Sequence, residues 1–360
     1  MTAPRRLAGV LAVLLLVTMS AGSAQQSFNR FEVFSVLDTY LEALRQQAGI
    51  PGMSAAVVKD DVILWEKGYG FQDLTERKRA TPDTPYLAGD VSGTLAAVLL
   101  LQCVEQKRLD LDASVRSYGV TFPDGDATLR ELLSHTSTEG PGATFQYNPE
   151  RYTRLTTVME HCAPQSYRKS VAHRILNRLA MKDSVPGTDL LNEDFTLPED
   201  LFEDGDAERY RAVLRRMAVP YKVDSRGRAE RTELIPTTLT SAGGLVTTVR
   251  DLAQLQFALD SYLLLEESTV AVAWNNAVNR RGVSVPMGLG WFVTSHRGQR
   301  VVWHFGYTPN AYSSLVVKVP AYNLTFILMA NSDRLSAPFQ LPQGDVTRSV
   351  FATLFLRLFT

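Results

Sequence analysis

Apolar residues first recur at helical spacing across positions 31–47 (FEVFSVLDTYLEALRQQ), where Phe31, Phe34, Leu37, Tyr40 and Leu41 share one stripe. Gly49-Ile50-Pro51-Gly52 stops that helix. Two short β-branched runs follow, Met53–Lys59 and Val62–Lys67, and Asp60-Asp61 between them reads as a hairpin turn. From about Pro82 to about Pro220 the pattern is helical and loop-rich, with an apolar helix at Leu95–Val104 and further helices around Tyr152–Cys162 and Arg168–Ala180. After Pro220 it turns β-like: a hairpin around Ser225-Arg226-Gly227-Arg228, a helix at Arg250–Leu265, then strands at Gly290–Ser295, Ser313–Val319 and Leu324–Ala330. Val346–Phe359 closes as an amphipathic helix.

Strands from both chain ends around a helical insert predict an α+β fold. One antiparallel sheet is flanked by the terminal helices and carries a helical subdomain. The sheet part takes residues 30–80 and 221–360, and the helical part 82–220.

The N-terminus reads as an address. Arg5 and Arg6 precede the apolar run Leu7–Met19, and Ala21-Gly22-Ser23-Ala24 supplies small residues for cleavage. Residues 1–24 are therefore expected to be a signal peptide, leaving a domain over 25–360 in the periplasm or outside the cell. That run is too short to span a bilayer, and no Cys follows it to carry a lipid. The chain has 37 basic against 38 acidic residues, a balance that offers no electrostatic footprint for nucleic acid. At 45% hydrophobic and 21% charged it is an ordinary globular chain of 360 residues. Cys103 and Cys162 either pair in an oxidising compartment or lie buried as small hydrophobes; spacing alone leaves both open. The five histidines form no His-Glu-x-x-His or similar ligand set, so no metal and no cofactor is expected.

Several runs, in this order, resemble the serine beta-lactamase/penicillin-binding protein superfamily. They are Gly49-Ile50-Pro51-Gly52-Met53-Ser54, Trp65-Glu66-Lys67-Gly68-Tyr69-Gly70, Thr81-Pro82-Asp83-Thr84, Arg108-Leu109-Asp110-Leu111-Asp112 and Glu131-Leu132-Leu133-Ser134-His135-Thr136-Ser137. Ala242-Gly243-Gly244-Leu245, Gly288-Leu289-Gly290-Trp291 and Ala330-Asn331-Ser332-Asp333 continue the series. The resemblance implies three catalytic elements: a Ser-x-x-Lys at a helix start, a Tyr-x-Asn on the helical subdomain, and a Lys- or His-x-Gly on an edge strand whose neighbouring N–H helps form the oxyanion hole.

Carried onto this chain, the first element lands on Asp90 and Gly93, which have neither the hydroxyl nor the amine. A carboxylate attacking a carbonyl would give an anhydride, an unfavourable acyl carrier. Asp90 is expected to stay ionised and to cap the following helix through the N–H of Ser92 or Gly93. Ser92, with Leu95 three residues on, reads as a capping or solvent-facing serine. The second element keeps Tyr147 but has Pro149 in place of the amide; Tyr147 is either a packed aromatic or a binding phenol. The third survives as His304-Phe305-Gly306, with the Tyr307 N–H as the oxyanion donor, and His304 is either structural or cleft-lining. Ser134-His135 reads as a turn, and Glu66, Glu131, Asp110 and Asp112 as solvated or loop residues.

The leading expectation is a catalytically silent relative of the serine hydrolases. Its cleft, with Asp90, Gly93, Tyr147, His304, Gly306 and Tyr307, would hold a small-molecule or peptide ligand. The alternatives are an active hydrolase or esterase using Asp90, Tyr147 or His304, and an interaction protein whose cleft is filled by Phe305 and Tyr307.

Overall fold

A computed structural model describes residues 32–360 apart from 122–125, 138–143 and positions 164, 193, 195 and 199. The signal-peptide reading lies outside the described residues.

Helix α1 covers 32–47. It leads into β1 (Gly52–Lys59) and β2 (Val62–Asp73), whose turn residues Asp60 and Asp61 both take positive φ, 49° and 60°. That is the backbone a tight two-residue hairpin requires. β3 (Lys78–Arg79) lies outside β2. Helix α2 (Ser92–Glu105) and α3 (Leu155–Cys162) belong to the helical insert, and α4 (Val249–Asp260) follows it. Strands β4 (Phe292–His296), β5 (Gln299–Thr308), β6 (Tyr312–Val319) and β7 (Leu324–Ala330) complete the sheet, and α5 (Val350–Phe359) ends the chain. The order is β3-β2-β1-β7-β6-β5-β4, with every neighbouring pair antiparallel.

The sheet is buried on both faces, which explains why β1, β6 and β7 read as continuous apolar runs without alternation. Met53, Ala55, Val57, Phe326 and Leu328 pack on Leu37 and Leu41 of α1 and Phe351 and Phe355 of α5. Ala56, Val58, Ile327 and Met329 pack on the opposite layer, with Leu95 and Val98 of α2 and Leu252 and Leu255 of α4. The two terminal helices meet at Phe34 and Phe359, whose rings are 5.6 Å apart. A disulfide joins Cys103 in α2 to Cys162 at the end of α3, so the pair that spacing left open is closed.

Several expectations shift. Tyr40, counted in the buried stripe of α1, is 56% exposed. The helix expected over Arg168–Ala180 divides into Tyr167–Val171 and a π-helical turn at Ala172–Asn177. Glu131 is buried: it completes a capping box with Thr128 and pairs with Arg280. Ser92 is fully buried, donating to the Gly89 carbonyl and accepting from the Leu245 N–H, so it faces no solvent. Strand β5, reached in the sequence only through the resemblance, is ten residues long. Its neighbour β4 pairs only with Gln299–Trp303. From His304 onward the outer edge of β5 has no strand beside it among the described residues.

Candidate active site

Two glycines press the turn before α2 onto that open edge. A Cβ on Gly89, whose φ is +59°, would lie 2.6 Å from the Tyr307 nitrogen, and one on Gly306 would lie 1.9 Å from the Ala88 oxygen. Larger residues would force the two segments apart. Ser314 fastens the contact by donating to the Ala88 carbonyl at 2.7 Å.

Asp90 sits in the short 3-10 turn Gly89–Val91. Its side chain does not cap α2. Instead Oδ2 accepts the Tyr307 N–H at 3.0 Å, across 217 residues of sequence. The expected bond to Ser92 or Gly93 loses because the strand-edge N–H would otherwise have no partner there. The expectation of a permanently ionised Asp90 also fails. Desolvation pushes its carboxyl up to about 7; bonds from the Tyr307 N–H and from its own N–H oppose that rise, and the Glu150 charge adds to it.

Two residues back along the same edge, the Phe305 carbonyl accepts from Nδ1 of His304 at 2.7 Å. That bond fixes the proton on Nδ1 of His304. The strand edge thus has one donor and one acceptor closed by its own chain.

Gly93 lies under an aromatic cover. A Cβ there would be 3.2 Å from Cδ2 and 3.3 Å from Cε2 of Tyr152, in the space a longer side chain needs. The Tyr152 hydroxyl donates to the Leu133 carbonyl at 2.7 Å, and its ring stacks on His135, with centroids 4.6 Å apart and planes within 6°. His135 takes positive φ (53°), and its Nδ1 accepts the Asn148 N–H at 3.1 Å. Asn148 heads the 3-10 turn Pro149–Arg154, in which Pro149 takes the first position, where its missing N–H costs nothing.

The half-buried Tyr147 ring lies 4.5 Å from that of His135, 6.2 Å from His304 and 5.3 Å from Phe305. Its phenol is held well above the ordinary tyrosine value by desolvation and then by the Asp90 charge. Desolvation lowers His135 to about 3, with the charges of His304 and Arg151 adding, and lowers His304 to about 4 against its bond to the Phe305 carbonyl. Both imidazoles are therefore neutral at pH 7.

Of the six residues singled out, Asp90, Gly306 and Tyr307 meet directly, Tyr147 and His304 lie beside them, and Gly93 is sealed by Tyr152. Phe305 is buried and Tyr307 is 40% exposed, so Phe305 packs below the site and only Tyr307 faces the solvent. Tyr152 and His135 also belong to the site; the sequence pattern marks His135 only as part of a turn, although it stands in the run Glu131–Ser137 that carries the resemblance. Among the described residues no group of His, Cys, Asp and Glu is placed to hold a metal ion.

A family model described as Beta-lactamase matches residues 37–343. The chain belongs to the beta-lactamase family. The octameric penicillin-binding protein homologue from Pyrococcus abyssi shares the fold, superposing with a TM-score of 0.73 at 18% identity and covering 90% of this chain and 77% of that one. Protein flp of Staphylococcus aureus (strain MW2) is 24% identical over 183 residues, 41% of this chain and 37% of its own length. The D-aminopeptidase of Brucella canis is 28% identical over 169 residues, 46% of this chain and 30% of its own. The chain thus spans about a third of the length of these curated relatives.

Proposed function

We propose that this protein is an exported, non-acylating member of the beta-lactamase family that keeps the fold and binds a peptide-like ligand without turning it over. One observation carries the reading: the Asp90 carboxyl, at the position to which the resemblance assigns the nucleophilic hydroxyl, holds the Tyr307 N–H that would otherwise be free for an oxyanion. Two further features support it. Gly93 brings no amine to accept a proton, and a Cβ there would already lie 3.2 Å from the Tyr152 ring. The nucleophile and base act as a unit, so losing both removes most of the rate enhancement. Relatives named for penicillins and for a D-aminopeptidase suggest amide-containing, peptide-like ligands. Export rests on the Arg5-Arg6 start with its apolar run, and the Cys103–Cys162 disulfide suits an oxidising compartment.

A second reading is favoured by one feature. A carboxyl titrating near 7 suits a general base that activates water. The test separates the two. Purified protein is incubated with a chromogenic beta-lactam, short-chain esters and a fluorophosphonate probe. No labelling, and no turnover above that of Asp90→Ala, is expected. Turnover that Asp90→Ala abolishes would overturn the silent reading in favour of the second. For export, N-terminal sequencing of the protein recovered from the periplasm or medium is expected to start at Gln25; an intact Met1 would refute it.

A further inference from the structure

Outside the Asp90 cleft, a cavity of about 270 Å³ opens between the end of α1, the turn of the hairpin Tyr221–Val223/Ala229–Arg231, and the start of α5. Its walls include Leu44, Ala48, Phe339 and Phe351, with Arg334 and Asp224 as the charged members. Arg334, from the short helix Asp333–Leu335, donates through Nη2 to the Val223 and Asp224 carbonyls at 2.5 and 2.7 Å. Its Nε is buried with no hydrogen-bond partner, and among the described residues no carboxylate pairs with the guanidinium. Asp224 does not fill that role. Its oxygens accept from Nε of Arg228 and from the N–H groups of Arg226 and Arg228 at 2.8–2.9 Å, which holds its carboxyl below the usual range.

A buried donor without an acceptor, on a cation without a counter-charge, is unfavourable twice over. Both Nη2 hydrogens are taken by the two carbonyls, so a carboxylate binds at Nη1 and supplies the missing counter-charge. Gln47 and Ser225 add polar side chains to the wall, but an inorganic anion would leave Leu44, Ala48, Phe339 and Phe351 uncovered, whereas an organic acid sets its hydrocarbon against them. The geometry points to a binding site for a carboxylate borne on a compact apolar group, the carboxylate on Arg334 and the hydrocarbon between Leu44, Ala48, Phe339 and Phe351. Two sources share that chemistry: a free aliphatic acid, and the C-terminus of a peptide ending in an apolar residue. The site goes beyond the proposed function and does not depend on it.

Calorimetric titration of the purified protein tests this with hexanoate against hexan-1-ol, and with acetyl-Gly-Leu against its C-terminal amide. At least one acid is expected to bind about tenfold or more tighter than its uncharged partner, and which acid does so identifies the source. Arg334→Met removes the grip on the carboxylate, while Ala48→Phe fills the cavity and leaves Arg334 in place. Each is expected to weaken binding by about tenfold or more, with the fold checked by circular dichroism. If Arg334→Met fails to fold, Ala48→Phe alone decides. The proposal is overturned if both acids bind no better than their uncharged partners, if neither binds at about 5 mM, or if folded Ala48→Phe binds as the parent does.

Discussion

A Cβ on Gly93 would meet a ring that cannot move freely, since the Tyr152 hydroxyl is tied to the Leu133 carbonyl and its face is stacked on His135. In an exposed helix, Gly→Ala gains about 1 kcal/mol. At position 93 the contact at 3.2–3.3 Å opposes that gain. Gly93→Ala is therefore expected to lower stability by about 1 kcal/mol in urea unfolding, from overpacking. In a Tyr152→Ala background the same change is expected to turn stabilising, and equal effects in both backgrounds would show that the ring does not constrain the site. Asp90 makes a different prediction. Its folded-state carboxyl titrates near 7, above the ordinary 3.8, so the native state holds the proton more tightly than the unfolded one. Stability contributed by this group is full below about pH 4 and is lost as pH rises toward 7. Asp90→Asn keeps a carbonyl oxygen for the Tyr307 N–H but cannot ionise. Relative to the parent it is expected to gain about 3 kcal/mol on going from pH 4.5 to pH 8. A difference that does not change with pH would show that Asp90 titrates as an ordinary surface acid.

Among the elements, α2 carries the most. It presents Gly93 in its first turn, and its far end is bonded through Cys103 to Cys162 of α3. The turn that precedes α3 holds Tyr152, so the disulfide ties together the two pieces that seal the site. It closes a loop of 59 residues, for which the chain-entropy model gives about 4 kcal/mol. Replacing both cysteines with alanine is expected to cost about 2–4 kcal/mol in equilibrium unfolding, and a loss below about 0.5 kcal/mol would refute a stapling role. Local pattern made most elements legible. The β1–β2 hairpin declared itself by β-branched runs around the Asp60-Asp61 turn, β7 by its apolar run, and the closing helix by its period. The site was legible only in part. Asp90, Gly306 and Tyr307 could be named from motif order, but the bond from Asp90 to Tyr307 joins positions 217 apart, and nothing local distinguishes it from a helix cap. Glu131 shows the same limit. Its capping box lies within one turn, while the partner that makes its burial tolerable, Arg280, is remote in sequence.

For the whole molecule, the cleft lies where the helical insert returns to the sheet, and two cores hold its halves independently of any catalytic group. The sheet packs on α1 and α5 on one face and on α2 and α4 on the other. The glycine contacts at Gly89 and Gly306 then place the turn at 88–91 against the open edge of β5. None of that architecture depends on the side chains at 90 and 93, so the scaffold is expected to accept a serine and a lysine there once space is made. Asp90→Ser with Gly93→Lys alone drives a four-carbon chain into the Tyr152 ring, and this pair is expected to lose stability and to stay unlabelled by a fluorophosphonate. Adding Tyr152→Ala removes the obstruction and leaves the Tyr307 N–H free for an oxyanion, since the carboxylate that occupied it has gone. The triple variant is therefore expected to become labelled at position 90, read as a mass shift on the peptide containing it. Labelling of the double variant would show that Tyr152 yields to a lysine. A folded triple variant that stays unlabelled would show that the edge of β5 does not stabilise an oxyanion even when vacated, and that on the proposed silent reading more than the residues at 90 and 93 stands in the way.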